Sequence, residues 1–297
     1  MPRVVVTGGA GKLGRAVVAD LVAHGWDVTV FDRVPPSGLS DEVGGAIAYV
    51  PVDLTDYGAV LDAMLGVEER YDRVDALVHL AAIPAPGVVG DHATFANNMN
   101  GSFNVVSAAR RAGVKNIVWA SSETVLGLPF DTPPPYIPVD EQYPPRPEST
   151  YSLTKTLEEA LAEQLCRWDP ELKMIGLRFS NVMELPDYER FPSFDADPML
   201  RKWNLWGYID ARDGAQAVRK ALAYDRAGAE VFIIANADTV MSRSNASLVA
   251  EVFPGVEIRG ELGEHDTLLS IDKARRVLGY EPEHSWRDHI GSAAAQQ

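Results

Sequence analysis

This sequence predicts an α/β chain: a doubly wound parallel sheet with a small C-terminal lobe. Three observations carry the prediction. Short apolar runs recur through the first two-thirds of the chain, stretches of helical periodicity separate them, and a glycine-rich turn joins the first run to the first helical stretch. Strands buried on both faces of a parallel sheet read as near-continuous Val, Ile and Leu. Their alternation with helices implies right-handed crossovers.

The strand candidates are "RVVVTG" (3–8), "DVTVFD" (27–32), "IAYVPVD" (47–53), "DALVHLAA" (75–82), "KNIVWASS" (115–122) and "LKMIGLRF" (172–179). Between the first two, "LGRAVVADLVAHG" (13–25) has helical spacing and Gly25 as its C-terminal stop. Residues 129–147 carry eight prolines and cannot be helix, which makes them a long stiffened loop ahead of the helix at 150–168. Residues 183–206 mix aromatics, prolines and charges without clean periodicity and read as a lid or substrate lobe. Beyond them, "IDARDGAQAVRKALAY" reads as a helix, "AEVFIIAN" as a strand and "IDKARRVLGY" as a last helix.

Composition excludes several functions. The 42 acidic residues outnumber the 27 basic ones, giving a net charge of -15, and no dense Lys/Arg cluster offers a nucleic-acid footprint. The single cysteine, Cys166, excludes an intramolecular disulfide and suits a reducing compartment; its place in a helix makes it a buried structural thiol rather than a nucleophile. A strand begins within three residues of Met1, no apolar run reaches the ~18 residues of a membrane span, and the expected location is the cytoplasm. No metal site is expected.

The turn "TGGAGKLG" (7–14) places Gly8, Gly11 and Gly14 at three-residue spacing between strand and helix, with Lys12 and Leu13 opening the helix. Glycines there permit a tight turn, close backbone approach to a pyrophosphate and close helix–strand packing, while the helix N-terminus offers free N–H groups. This is the context of a Rossmann-type dinucleotide site. Asp32, ending the second strand, can accept hydrogen bonds from ribose hydroxyls and repels a 2′-phosphate, which favours NAD; Arg33 beside it leaves NADP as the alternative. Asp53, in "VDL" with Leu54, is placed to cap the adenine amino group. Residues 1–180 are thus expected to form the NAD-binding domain and 181–297 mainly the substrate lobe, with some segments returning to the core.

With "HLAA" (79–82), "NNMNGSFNVVSAAR" (97–110), "SSETVLG" (121–127), "YSLTK" (151–155), "LRFSNV" (177–182), "YIDARD" (208–213) and "DKARRVLGY" (272–280), the chain resembles the extended short-chain dehydrogenase/reductases, the NAD-dependent sugar epimerases and dehydratases, over nearly its whole length. The resemblance implies that His79, Leu80, Ala81 and Ala82 line the cofactor, and that Asn98 holds the following helix beside it. Ser122 falls where that family places its catalytic Ser or Thr, Glu123 and Thr124 follow it on the substrate side, and Phe179 and Asn181 flank nicotinamide and substrate. A helix puts Tyr151 and Lys155 on one face. A free phenol, with a pKa near ~10, is too weak a base at neutral pH; a neighbouring ammonium favours the phenolate. Tyr151 would then take a substrate hydroxyl proton, Ser122 would bond the substrate oxygen, and Lys155 would also hold the nicotinamide ribose.

Departures from the family pattern leave the substrate open. Only residues 183–207 stand where many nucleotide-sugar epimerases carry a longer insert, and Trp206-Gly207-Tyr208 replaces their Arg-Asp-Tyr. Arg190, Arg201 or Lys202 could meet a substrate anion instead. Uronate dehydrogenases are similar in having a short lobe, and dehydration is disfavoured by Glu123-Thr124 in place of an Asp-Glu pair. A sugar 4-epimerase of UDP-glucose type, a dehydrogenase of a free aldose or uronate, and a non-catalytic NAD(P)-sensing regulator are the three readings. The helices at 91–112 and 150–168 match a family dimer interface, so a homodimer is expected; Phe103, Val106, Leu157 and Leu161 could pack on the sheet instead.

Overall fold

A computed structural model describes residues 1–66 and 73–289. Its elements, in chain order, are β1 (Arg3–Thr7), α1 (Lys12–Ala23), β2 (Asp27–Asp32), α2 (Asp41–Gly45), β3 (Ile47–Pro51), α3 (Tyr57–Leu65), β4 (Ala76–His79), α4 (Asp91–Arg111), β5 (Asn116–Ser122), β6 (Tyr136–Ile137), α5 (Thr150–Trp168), β7 (Lys173–Phe179), β8 (Val182–Met183), β9 (Ile209–Asp210), α6 (Ala211–Ala223), β10 (Gly228–Ile234), α7 (Asn245–Val252), β11 (Glu257–Ile258) and α8 (Asp272–Leu278).

Seven of these strands form one parallel sheet in the order β10-β7-β5-β4-β1-β2-β3. The order reverses between β1 and β4, and a crevice opens there at the carboxyl ends of the strands. Side-chain alternation divides the core between the faces. Val4 and Val6 pack with α1 and α6 on one side, while Val5 packs with α3, α4 and α5 on the other; all three valines are fully buried. Each such side chain contributes roughly 1.5–3 kcal/mol on leaving water.

β10 lies in the large sheet although it follows the substrate lobe in sequence. The lobe itself, Leu185–Asn204, is a run of 3-10 turns over an aromatic cluster of Tyr188, Phe191, Tyr208 and Trp286. Two ion pairs tie it to the glycine turn's helix: Lys12 Nζ to Asp187 at 2.6 Å and Arg15 Nη2 to Glu184 at 2.8 Å. The proline-rich segment is not a loose loop. Its β6 pairs with β11, Val139 bonds Leu268 and Ser270, and Arg146 N donates to Val125 O, clamping the turn after β5. Among the described residues no helix is long and apolar enough to cross a membrane, and no cluster of His, Cys, Asp and Glu could hold a metal ion.

Candidate active site

The crevice holds a cavity of about 830 Å³. Its floor begins at the glycine turn. Gly8 has φ +73, and Gly11 N donates to Gly8 O at 3.0 Å. A Cβ on Gly14 would stand 2.1 Å from Gly8 O, and one on Gly8 would stand 2.7 Å from Ala81 N, so the turn closes only without side chains there. The first turn of α1 has no side-chain cap, which leaves its N–H donors free for an anion. Asp32 Oδ2 accepts from Ala10 N at 3.1 Å and Oδ1 from Arg33 N at 2.7 Å, fixing the carboxylate beside the turn.

The far wall is built by β5 and α5. Ser122 ends β5 and caps the 3-10 turn Glu123–Leu126, its Oγ accepting from Thr124 N at 3.2 Å and Thr124 Oγ1 at 3.0 Å. The helix that follows the proline segment starts on a reciprocal Ser149–Ser152 capping box, which fixes where its first turn points. Tyr151 and Lys155 therefore reach the cavity from consecutive turns of one face. Lys155 Nζ donates to Ala120 O at 2.8 Å and to Glu158 Oε2 at 2.9 Å, and lies 6.0 Å from the centre of the Tyr151 ring. Burial pushes the Tyr151 phenol up; the Lys155 charge and a hydrogen bond with Ser122 oppose it. Burial would lower Lys155, but the Glu158 carboxylate, by charge and hydrogen bond, leads the effects that outweigh it and keep the ammonium.

Glu123 is buried on the same wall. Its Oε2 accepts from Ser180 Oγ at 2.5 Å and its Oε1 from Asn204 Nδ2 at 3.1 Å. Burial lifts its pKa to about 7 against those bonds and the charge of Arg201. A second cavity of about 540 Å³ adjoins the first through Lys12, Asn181 and Trp203 and runs under the lobe. Arg201 is its buried cation. It lies between the rings of Phe194 and Trp203 (5.3 and 5.0 Å), donates to Gly207 O at 2.8 Å, and keeps an Nε with no partner among protein atoms.

The structure brings Gly8, Gly11, Lys12, Leu13, Gly14, Asp32, Arg33, Asp53, Leu54, Leu80, Ala81, Ala82, Ser122, Glu123, Thr124, Tyr151, Lys155, Phe179 and Asn181 to the first cavity. Four of the expected residues lie off this cavity. Asn98 is off the wall: its Oδ1 accepts from Ile83 N at 2.8 Å and its Nδ2 donates to Ile83 O at 3.1 Å, so it shapes the loop after β4, and Asn97 faces the cavity instead. His79 is also off the wall, buried between Thr7 and Ser102. Arg190 and Arg201 belong to the adjoining cavity rather than to the one holding Tyr151. Sequence reasoning missed Trp203 and Glu158. Only the second left a signal, a Lys–Glu pair at i,i+3.

Residues 4–235 match the profile of the NAD dependent epimerase/dehydratase family. UDP-glucose 4-epimerase 2 of Oryza sativa is 32% identical over 189 residues, covering 60% of this chain and 44% of the rice protein. For the UDP-glucose 4-epimerase of Bacillus subtilis the figures are 30% over 186 residues, 60% and 52%, so the match spans about half the length of these relatives. A solved UDP-galactose 4-epimerase superposes with a TM-score of 0.68 at 27% identity, covering 97% of this chain and 96% of its own. A mutated uronate dehydrogenase gives 0.66 at 23% identity, with 98% and 86% covered, a likeness of fold alone. This chain belongs to the NAD-dependent epimerase/dehydratase family.

Proposed function

We propose that this protein oxidises a carbinol of a sugar with NAD, Tyr151 moving the hydroxyl proton, and that it acts as a sugar 4-epimerase of UDP-glucose type. The observation that carries the reading is the convergence of Ser122, Tyr151 and Lys155 on the cavity that starts at the glycine turn. The cradle suits a dinucleotide: Gly8 and Gly14 leave the room that a Cβ would fill, and the free N–H groups of α1 face the same space. Gly11 and the N-terminus of α1 would hold the pyrophosphate, and Asp32 the adenosine ribose. Asp53 and Leu54 would stand at the adenine, and Lys155 and Phe179 at the nicotinamide end. When bound, NAD supplies the hydride acceptor.

The protein residues supply the proton chemistry. Ser122 donates to the reacting oxygen and orients it towards Tyr151. Tyr151, held against the Lys155 ammonium, takes the hydroxyl proton as the carbinol becomes a carbonyl and returns it when the carbonyl is reduced. Glu123 and Asn181 offer hydrogen bonds to neighbouring hydroxyls. The relatives' names support the epimerase assignment. A second reading, a dehydrogenase of a free aldose or uronate, is favoured by the short lobe and by Arg201, a buried cation lining the adjoining cavity.

Tyr151→Phe tests the chemistry, with an expected loss of about 10²- to 10⁴-fold in turnover; intact turnover would refute the proton-transfer role. For assembly we propose a homodimer through α4 and α5. Phe103 and Leu157 face outward there, 51% and 36% exposed, while Val106 is buried and Leu161 partly so. A monomer by light scattering would refute it. A cytoplasmic site is proposed from the single cysteine: Cys166 is buried, and burial pushes its thiol up to about 11, so it is inert.

A further inference from the structure

Behind the cavity wall a continuous line of buried polar side chains leads to Lys155. Ala81 N donates to Thr7 Oγ1 at 3.3 Å, and Thr7 Oγ1 meets His79 Nδ1 at 2.7 Å. His79 Nε2 meets Ser102 Oγ at 3.0 Å, Ser102 donates to Glu158 Oε1 at 2.8 Å, and Lys155 Nζ donates to Glu158 Oε2 at 2.9 Å. Thr7, His79, Ser102, Glu158 and Lys155 are each at most 4% exposed. Four elements contribute, β1, β4, α4 and α5, with Ala81 at the cavity floor.

The donors allow one self-consistent arrangement. Glu158 as a carboxylate only accepts, so Ser102 gives it a hydrogen and must in turn accept from His79 Nε2–H. His79 Nδ1 is then bare and accepts from Thr7, which accepts from Ala81 N–H. Every hydrogen-bonding position from Ala81 N–H to Glu158 Oε1 is matched, and His79 is neutral. Its burial fits that state, since desolvation and the Lys155 charge hold its pKa down to about 3.

We propose that Glu158 is a positioning residue for the reaction: it fixes the Lys155 ammonium against Ala120 and offsets part of its charge, so that Lys155 favours the Tyr151 phenolate, the form that takes the substrate proton, less than a lone ammonium would. A lone buried ammonium beside Tyr151 would draw the phenol towards phenolate at all times. With Glu158 in place, the Tyr151–Lys155–Glu158 group carries no net charge while the phenol is protonated. The other charges facing it come from three directions. Glu159, also on α5, is paired with Arg178 of β7 at 2.8 Å; Glu123 lies on the turn after β5; His79 of β4 is neutral. None of them replaces the compensation Glu158 gives.

This inference rests on the reading of Tyr151 as the proton-transfer group, and its test needs no substrate, so the two fail separately. Titrate tyrosinate absorbance in the apo protein and in Tyr151→Phe, and take the difference as the Tyr151 curve; repeat in Glu158→Gln with and without Tyr151→Phe. Glu158→Gln is expected to lower the Tyr151 midpoint by at least one pH unit, and Glu158→Asp, which keeps the charge, to restore at least half of that shift. An unchanged or higher midpoint in Glu158→Gln overturns the proposal. The unaltered protein gives a check that survives a variant that fails to fold: ¹⁵N shifts should show His79 as the neutral Nε2–H tautomer from pH 5 to 8. The Nδ1–H tautomer would mean that Ser102 does not serve Glu158, and would overturn the proposal as well.

Discussion

Replacing Glu123 by Gln isolates a buried proton. In the folded protein Glu123 titrates near 7 rather than 4.5, because burial outweighs its hydrogen bonds to Ser180 and Asn204. Above pH 4.5 the unfolded chain releases a proton that the folded chain keeps, so this group's contribution to stability falls as pH rises towards 7. His79 acts in the opposite sense. Desolvation holds it near 3 rather than 6.5, so as pH falls from 6.5 to 3 the unfolded chain gains a proton that the folded chain refuses. Its contribution therefore rises with pH across that window. Each slope is about 1.4 kcal/mol per pH unit, and between pH 4.5 and 6.5 they cancel. Gln is close in shape to the protonated acid and does not titrate. Glu123→Gln should therefore gain about 3 kcal/mol on the wild type between pH 4.5 and 7, read as the difference in urea-unfolding free energy at a series of pH values. Groups common to both proteins drop out of that difference. A difference that is flat across the window would show that Glu123 is ionised in the folded protein, and the assignment of a neutral carboxyl beside Ser122 would be wrong.

Other changes probe other parts of the crevice. Gly14→Ala places a methyl 2.1 Å from Gly8 O, a backbone clash that the turn must open to relieve; a stability loss of about 1–3 kcal/mol and at least tenfold weaker NAD binding are expected by calorimetry. Asp32→Ala removes a charged acceptor proposed for the ribose, worth about 1.5–3 kcal/mol, and should weaken NAD by roughly 10- to 100-fold while narrowing its advantage over NADP. Arg201→Met keeps the stack between Phe194 and Trp203 but loses the buried donors, so an anionic substrate should show a KM raised more than tenfold with kcat changed less.

Local spacing made much of this molecule readable. The valine runs, the glycine turn and the Tyr151–Lys155 spacing each encode their geometry within a few residues, and β2 and α5 have the predicted bounds, Asp27–Asp32 and Thr150–Trp168. What could not be read depends on partners distant in sequence. His79 looked like a wall residue because it precedes Leu80, Ala81 and Ala82, yet strand alternation turns it under the sheet to Thr7 and Ser102, 72 and 23 residues away. Asn98 and Asn97 differ by one helical step, and only packing against Ile83 decides which faces the cavity. The lobe has no period to read, since its 3-10 turns are held by the aromatic cluster and by Lys12 and Arg15 from the first helix.

The most direct test mixes the purified protein with NAD⁺ and a panel of free aldoses, uronates and UDP-sugars, following the NADH band and separating the sugars by chromatography. Conversion of a UDP-sugar to its 4-epimer without lasting NADH is the expected result; NADH growth with a free aldose or uronate would assign the dehydrogenase instead. Neither signal with any sugar, although NAD⁺ binds, would contradict hydride transfer to NAD with Tyr151 as the proton acceptor.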